Sequence, residues 1–139
     1  MPYTSLAHQT TLRGAMHIIQ TRITTHAPCN TAFKALPGGR TLQQIWADPN
    51  IWINFDPANN AGDYAATRGN DVTITAFALN KGRWTVAATL VHELAHVGGA
   101  PGGTSPLAEQ ALLPCLLGDL RQPGLVGQLI QARRMQRVA

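Results

Sequence analysis

No apolar stretch of this sequence comes close to the roughly 20 residues that a helix needs to cross a membrane, so no membrane span is predicted. The first residues also lack a charged segment followed by an apolar one, and no signal peptide is visible. A signal peptide would also be missing from a piece cut from a longer chain, or from a protein exported by a route that does not read the N-terminus. Internal repeats and low-complexity segments are missing as well.

Charged side chains are few, at 13% of the residues, whereas 45% of the residues are hydrophobic. Over 139 residues this balance predicts a single compact domain, 1–139, with a weakly charged surface. The net charge is +4, and four arginines but no acidic residue follow Asp119. Because no aromatic side chain that stacks on bases lies among these arginines, we expect no nucleic-acid partner.

Only two cysteines occur, Cys29 and Cys115, and neither belongs to a CxxC pair. Two arrangements are open: free buried thiols, or one disulfide that ties the N-terminal part to the C-terminal part. The disulfide would close a loop of more than 80 residues and contribute about 4 kcal/mol in the chain-entropy model. It would also place the protein in an oxidising compartment such as a periplasm.

Hydrophobic periodicity and turn residues predict an α+β domain of two short strands and several helices, with helices at both ends of the chain. Ser105 and Pro106 are a strong helix start, because a hydroxyl N-cap precedes a proline at the first helical position. The other predicted helices cover residues 5–25, 30–36, 42–46, 84–97 and about 125–135. The predicted strands cover residues 51–56 and 72–79, and a loop joins them over 57–70.

His92, Glu93 and His96 form the motif HExxH within the helix predicted over 84–97. Residues i and i+4 of a helix lie on one face, so both imidazoles can point at a single metal ion. Glu93 lies about 60° around the helix from His96, beside such an ion without being its ligand. A metal lowers the pKa of a bound water, and a neighbouring glutamate can take the proton as general base.

The motif is short, and chance produces it in roughly one chain of this size in a few hundred. The surrounding helix favours function over chance, because it is almost entirely apolar and is predicted to be mostly buried. Burying two histidines and a glutamate there would be costly without partners, and a metal ion supplies one. On the histidine side, the small residues Thr85, Ala88 and Thr89 predict an open face.

With this motif the chain resembles the zincin metallopeptidases, in which a small twisted sheet covers the helix that bears HExxH. The metzincin pattern HExxHxxGxxH is disfavoured, because Gly102 stands where its third histidine belongs. An aspzincin-like pattern is also disfavoured, because Ser105 and Pro106 follow Gly103-Thr104 where an aspartate is needed.

The gluzincin arrangement, in which a glutamate on the following helix completes the zinc site, fits better and implies Glu109. It is the only acidic residue between His96 and Asp119, and its neighbours are apolar. The separation of thirteen positions from His96 is shorter than in the larger gluzincins, so the assignment is by type of residue. Asp119 is the rival ligand, and a glutamate that only stabilises a helix N-terminus is the other alternative.

The resemblance implies a Zn²⁺-dependent peptidase in which Glu93 activates a zinc-bound water. It also implies that a peptide or protein substrate lies along the edge of the sheet, a role that suits the strand over 72–79. Zincins usually have a donor for the oxyanion, and Tyr64 and Arg68 are candidates for it.

A looser resemblance, in size and motif region only, is to the small metallopeptidase toxin domains of bacterial secreted effectors. It implies delivery to the periplasm of a target cell, and an immunity or carrier protein as partner. Two other functions stay open: a zinc-dependent amidase or deacylase acting on a non-protein amide, and a non-catalytic zincin-like binding module. Glu93 argues against the module, because a structural zinc site needs no base.

Overall fold

The computed structural model of the chain describes residues 5–57, 62–102 and 106–116. Within these ranges the fold is α+β, as predicted, and consists of helices and a small mixed sheet. The helices are α1 (Leu6–Ile18), continued by a π-helical turn (Ile19–Ile23), α2 (Ala27–Lys34), α3 (Leu42–Trp46), α4 (Ala76–Leu79), α5 (Arg83–Val97) and α6 (Leu107–Leu116). The strands are β1 (Trp52–Asp56), β2 (Ala65–Arg68) and β3 (Asp71–Thr75). None of the helices in the described ranges is long and apolar enough to cross a membrane.

Local side-chain caps explain where several helices begin. The Ser5 hydroxyl accepts a hydrogen bond from the backbone N–H of His8 at the start of α1. Thr41 and Gln44 form a capping box at the start of α3. Pro28 occupies the first turn of α2, where its missing N–H has no intrahelical partner to lose. α2 therefore begins at Ala27, three residues earlier than predicted.

The sheet has the strand order β1-β3-β2, with β3 parallel to β1 and antiparallel to β2. β2 and β3 form a hairpin that turns at Gly69 and Asn70, and Gly69 has a φ of 60°. The predicted loop over 57–70 is therefore wrong at residues 65–68, which form an edge strand. The strand predicted over 72–79 is also not an edge, because β3 lies between the other two strands.

β3 ends earlier than predicted, because the chain turns into the short helix α4 after Thr75. The Thr75 hydroxyl accepts a hydrogen bond from the backbone N–H of Ala78, which caps α4. The single proton of the same hydroxyl is shared between the backbone oxygens of Asp63 and Tyr64, just before β2. Thr75 therefore joins the end of the sheet to the start of the helical connection that leads into α5.

α5 is the central element of the core. Every residue from 86 to 95 is buried, so the prediction of a mostly buried helix over 84–97 is confirmed. α1, α3, α4, α6 and the strands β2 and β3 all pack against it. The motif consequently lies on a helix that is enclosed by other elements on several sides.

A disulfide between Cys29 and Cys115 joins α2 to α6, which settles the choice that the sequence left open. α6 packs against both α5 and α2, so the bridge closes a loop of 86 positions around the core. Cys29 is fully buried and Cys115 nearly so. The helix predicted over about 125–135 lies outside the described residues.

We expect replacement of both cysteines by alanine to lower the free energy of unfolding by about 4 kcal/mol, because the unfolded chain gains the freedom of an open loop. Urea denaturation of the Cys29→Ala/Cys115→Ala variant measures this loss. Fully reduced wild-type protein is the matched control and should unfold at the same urea concentration as the variant. A loss below about 1 kcal/mol would show that the bridge adds little to the packing of α2 on α6.

Candidate metal centre

The motif lies in the second half of α5, within the core. Gly82 precedes the helix with a φ of 96°, a conformation that side chains with a Cβ rarely adopt. Two turns of small and apolar residues follow before His92, and they are buried from Val86 onward. His92 is 3% exposed and Glu93 is fully buried, whereas His96 is partly exposed.

The structure brings His92, Glu93 and His96 together as the sequence predicts. One potential ligand atom from each of the three side chains lies within 4.8 Å of the other two. The two imidazole rings are 5.0 Å apart between centroids and 73° apart in orientation. Within the described ranges this is the one group of three such side chains close enough to hold a metal ion.

The face was predicted to be open on the histidine side, and this is wrong at its N-terminal end. Thr89, one turn before His92, is fully buried, and its hydroxyl has no hydrogen-bond partner among the described residues. β2 packs against α5 and helps to cover this face. Within the motif, His96 is the residue that remains partly exposed to solvent.

A backbone carbonyl orients His96. Its Nδ1 lies 2.9 Å from the carbonyl oxygen of Ala100, and a carbonyl can only accept, so Nδ1 carries the proton and donates. In the neutral ring the other nitrogen, Nε2, then has a free lone pair, which is the form that binds metals. The contact therefore favours the tautomer in which Nε2 of His96 could bind a metal ion.

The turn that carries Ala100 is itself held tightly. The backbone N–H of Gly38 donates to the carbonyl oxygen of Gly98 at 2.8 Å, and a Cβ on Gly38 would lie only 2.6 Å from that oxygen. Gly99 has a φ of 107°, so it is the left-handed residue of the turn that follows α5. Glycines at both places let the loop after α2 lie directly against the end of α5.

Glu93 is held by a residue of the neighbouring strand. The hydroxyl of Thr67 on β2 lies 2.8 Å from Oε1 of Glu93 and 3.2 Å from its backbone oxygen. The other carboxylate oxygen, Oε2, lies 3.8 Å from Nε2 of His92. Sequence reasoning missed Thr67 because it assigned the residue to a loop. The available signal was the Gly69-Asn70 pair ahead of a β-branched run, which favours a two-residue hairpin.

The donor atoms of this group could hold a metal ion. Two imidazoles four residues apart, one of them fixed in the ligand form by Ala100, are donors that zinc and related ions take. No family model, curated protein or solved structure matches this chain. The case for a metal centre therefore depends on the chemistry of these side chains.

Glu109 lies in the first turn of α6 and is partly buried. α6 packs against α5, but Glu109 does not belong to the group whose ligand atoms lie within 4.8 Å of one another. Its assignment as third ligand stays a prediction. The rival, Asp119, lies outside the described residues.

The two candidates for oxyanion donor differ in position. Arg68 ends β2 and is exposed, and since neighbouring residues of a strand point to opposite faces, it faces away from α5, towards which Thr67 points. Tyr64 is partly buried, and its ring packs edge-on against Phe77 of α4 with 5.3 Å between centroids. Neither candidate has a described contact with the motif.

A cavity of about 340 Å³ lies on the other side of α5. Its lining is mostly apolar and includes Leu94, which projects from α5 away from His92 and His96. Asp48 is its charged lining residue, and its carboxylate pairs with Arg40 at 3.0 Å. None of the three motif side chains therefore lines this cavity.

Proposed function

We propose that this chain is a zinc-dependent metallopeptidase, with a zincin-like domain in which His92, His96 and Glu109 hold the metal and Glu93 is the general base. The observation that carries the proposal is the clustering of His92, Glu93 and His96 in the core of the molecule. Burying ionisable side chains is costly, and clusters of them in a protein core are typical of functional sites.

The buried position of Glu93 supports its role as a base. A purely structural metal site is closed by its ligands and gains nothing from an additional carboxylate at its side. Here the carboxylate of Glu93 faces Nε2 of His92 at 3.8 Å, on the side of the ring where a metal would bind. Proton transfer needs this kind of proximity between the base and the reacting group.

Bound zinc would polarise the scissile carbonyl and acidify a water molecule beside it. Glu93 then takes one proton from the attacking water as its oxygen forms a bond to the carbonyl carbon. As the carbon–nitrogen bond breaks, Glu93 gives that proton to the leaving amine. The products are a carboxylic acid and an amine, and Glu93 returns to its carboxylate form.

Edge strand β2 favours peptides over other amides as substrates. β2 pairs with β3 on one side, and within the described residues its other side has no strand partner. Thr67 of this strand contacts Glu93, so the strand passes directly beside the proposed base. An extended peptide that added to β2 by backbone hydrogen bonds would lie next to Glu93. The sequence analysis gave that role to residues 72–79, but β3 is the central strand, so we assign the role to β2 instead.

The disulfide supports activity in an oxidising compartment, because such bridges persist in secreted and periplasmic proteins and are rare in the cytosol of most organisms. An effector or toxin domain delivered to the periplasm of a target cell is consistent with that chemistry. In that case an immunity or carrier protein would be its partner.

A peptide-library profile tests the proposal. We expect the zinc-loaded, disulfide-bonded protein to cleave a subset of peptides, with cut sites read by mass spectrometry. 1,10-Phenanthroline should stop the cleavage, and added zinc should restore it. Protein that has bound zinc yet cleaves no peptide would contradict the peptidase proposal and favour a deacylase or a binding module.

A further inference from the structure

Thr67 has a hydroxyl whose position is fixed by its surroundings. Its backbone pairs with Val72 in the antiparallel register of β2 and β3. Threonine is β-branched, so its χ1 angle is restricted and the hydroxyl has few positions to occupy. The residue is partly buried between the strand and α5.

The hydroxyl has one proton and two possible acceptors, both on Glu93. Oε1 lies at 2.8 Å and the backbone oxygen at 3.2 Å. The backbone oxygen lies within α5, where helical carbonyls already accept a hydrogen bond from the N–H four residues later. A carboxylate oxygen is the stronger acceptor and forms the shorter bond, so the proton goes to Oε1.

This bond distinguishes the two carboxylate oxygens of Glu93. Oε1 accepts a hydrogen bond from Thr67, and Oε2 faces Nε2 of His92 at 3.8 Å. A glutamate has three rotatable side-chain bonds, and its terminal torsion is broad, so a directional hydrogen bond restricts the carboxylate plane more than packing does. The Thr67 hydroxyl supplies such a bond.

Thr24 shows how a buried threonine behaves without such a role. It is 5% exposed, and its hydroxyl donates to the carbonyl oxygen of Gln20 on its own helix at 2.8 Å. That bond stays within the π-helical region and reaches no ionisable group. The contact of Thr67 instead joins an edge strand to the motif across 26 positions of sequence.

We propose that Thr67 is a positioning residue: its hydrogen bond to Oε1 orients the Glu93 carboxylate so that Oε2 is the oxygen that exchanges protons with the substrate. The inference rests on the proposed function of Glu93. A misdirected base retains its charge and its place in the core but transfers protons poorly, since small errors in geometry can cost about 100-fold in rate.

Three variants separate positioning from stability. Thr67→Val removes the hydroxyl at nearly constant volume, and we expect kcat on a cleaved library peptide to fall 10- to 100-fold with KM and zinc affinity within about threefold of wild type. Thr67→Ser keeps the hydroxyl and should restore kcat to within about fivefold of wild type. Thr24→Val, the matched control, should lower the unfolding midpoint without changing kcat. Equal losses of kcat in Thr67→Val and Thr67→Ser would overturn the proposal.

A second measurement needs no peptide substrate. Acetohydroxamic acid binds a metal through its oxygens and gives its hydroxyl proton to a neighbouring base, so its affinity reports whether that base is oriented. We expect cobalt-substituted Thr67→Val to bind it about 10-fold more weakly than wild type, as followed by the visible spectrum of the ion. In a Glu93→Gln background, Thr67→Val should cause no further weakening.

The two measurements distinguish failure of this inference from failure of the proposed function. Thr67→Val that binds acetohydroxamic acid like wild type, while Glu93→Gln binds it weakly, would leave the metal site intact and remove Thr67 from its role. Wild-type protein that takes up neither cobalt nor zinc would contradict the proposed metal site itself, and Thr67 would then have no base to position.

Discussion

Glu93→Gln is expected to keep zinc and lose hydrolysis. Glutamine has almost the same shape as glutamate, and its amide oxygen can still accept the hydrogen bond from Thr67. It cannot take up a proton, so the general-base contribution, about 100- to 10,000-fold in rate, should disappear from kcat. Metal analysis of the purified variant, together with kcat on a library peptide, measures both halves of this expectation.

Asp48→Asn is the matched control for Glu93→Gln. It makes the same change from carboxylate to amide at a partly buried position beside the cavity on the other side of α5, where Asp48 pairs with Arg40. Its kcat should stay close to wild type. Hydrolysis that persists in zinc-loaded Glu93→Gln would remove Glu93 from the mechanism, and an equal loss in Asp48→Asn would point to a general effect on folding.

The position of the motif could be predicted from sequence because its signals are local. Nearly every residue of 84–97 is small or apolar, glycines stand at both ends, and the histidines have helical spacing. These features need no knowledge of distant parts of the chain, and the observed helix, Arg83–Val97, begins one residue early.

Edge strand β2 has a weaker local signal, which is the Gly69-Asn70 turn that follows it. Ala65, Ala66 and Arg68 have little preference for strands, and the segment becomes a strand because it pairs with β3. Residues 76–79 show the reverse case, since their alternating pattern resembles a strand. The Thr75 cap starts a helix there instead. Both errors arise where pairing or capping overrides the local pattern.

Contacts between distant parts of the chain also limit what the sequence predicts about the site. Thr67 could not be connected to Glu93 before β2 was known to lie against α5, because 26 positions separate them. The disulfide is a similar case, since only the packing of α2 against α6 brings Cys29 and Cys115 together. The sequence was enough to locate the motif, but not the residues that the fold places beside it.

Glu109→Ala is expected to weaken zinc binding by about 100-fold or more. Removing a residue that only supports a metal ligand already costs roughly 10- to 100-fold in affinity, so loss of a ligand should cost at least as much. Glu109 sits on a helix that packs against α5, and its neighbours Ala108 and Leu112 are fully buried. Competition with a fluorescent zinc chelator measures the affinity.

Two comparisons decide whether Glu109 is the third ligand. Asp119→Ala should leave zinc affinity within about threefold of wild type, and the reverse result would transfer the assignment to Asp119. The helix-dipole alternative predicts a different outcome for Glu109→Ala: metal-free protein less stable by about 0.3–1 kcal/mol, with zinc affinity unchanged. Zinc affinity that falls while the metal-free protein keeps its unfolding midpoint identifies a ligand, because a carboxylate that serves only its own helix contributes whether or not the metal is present.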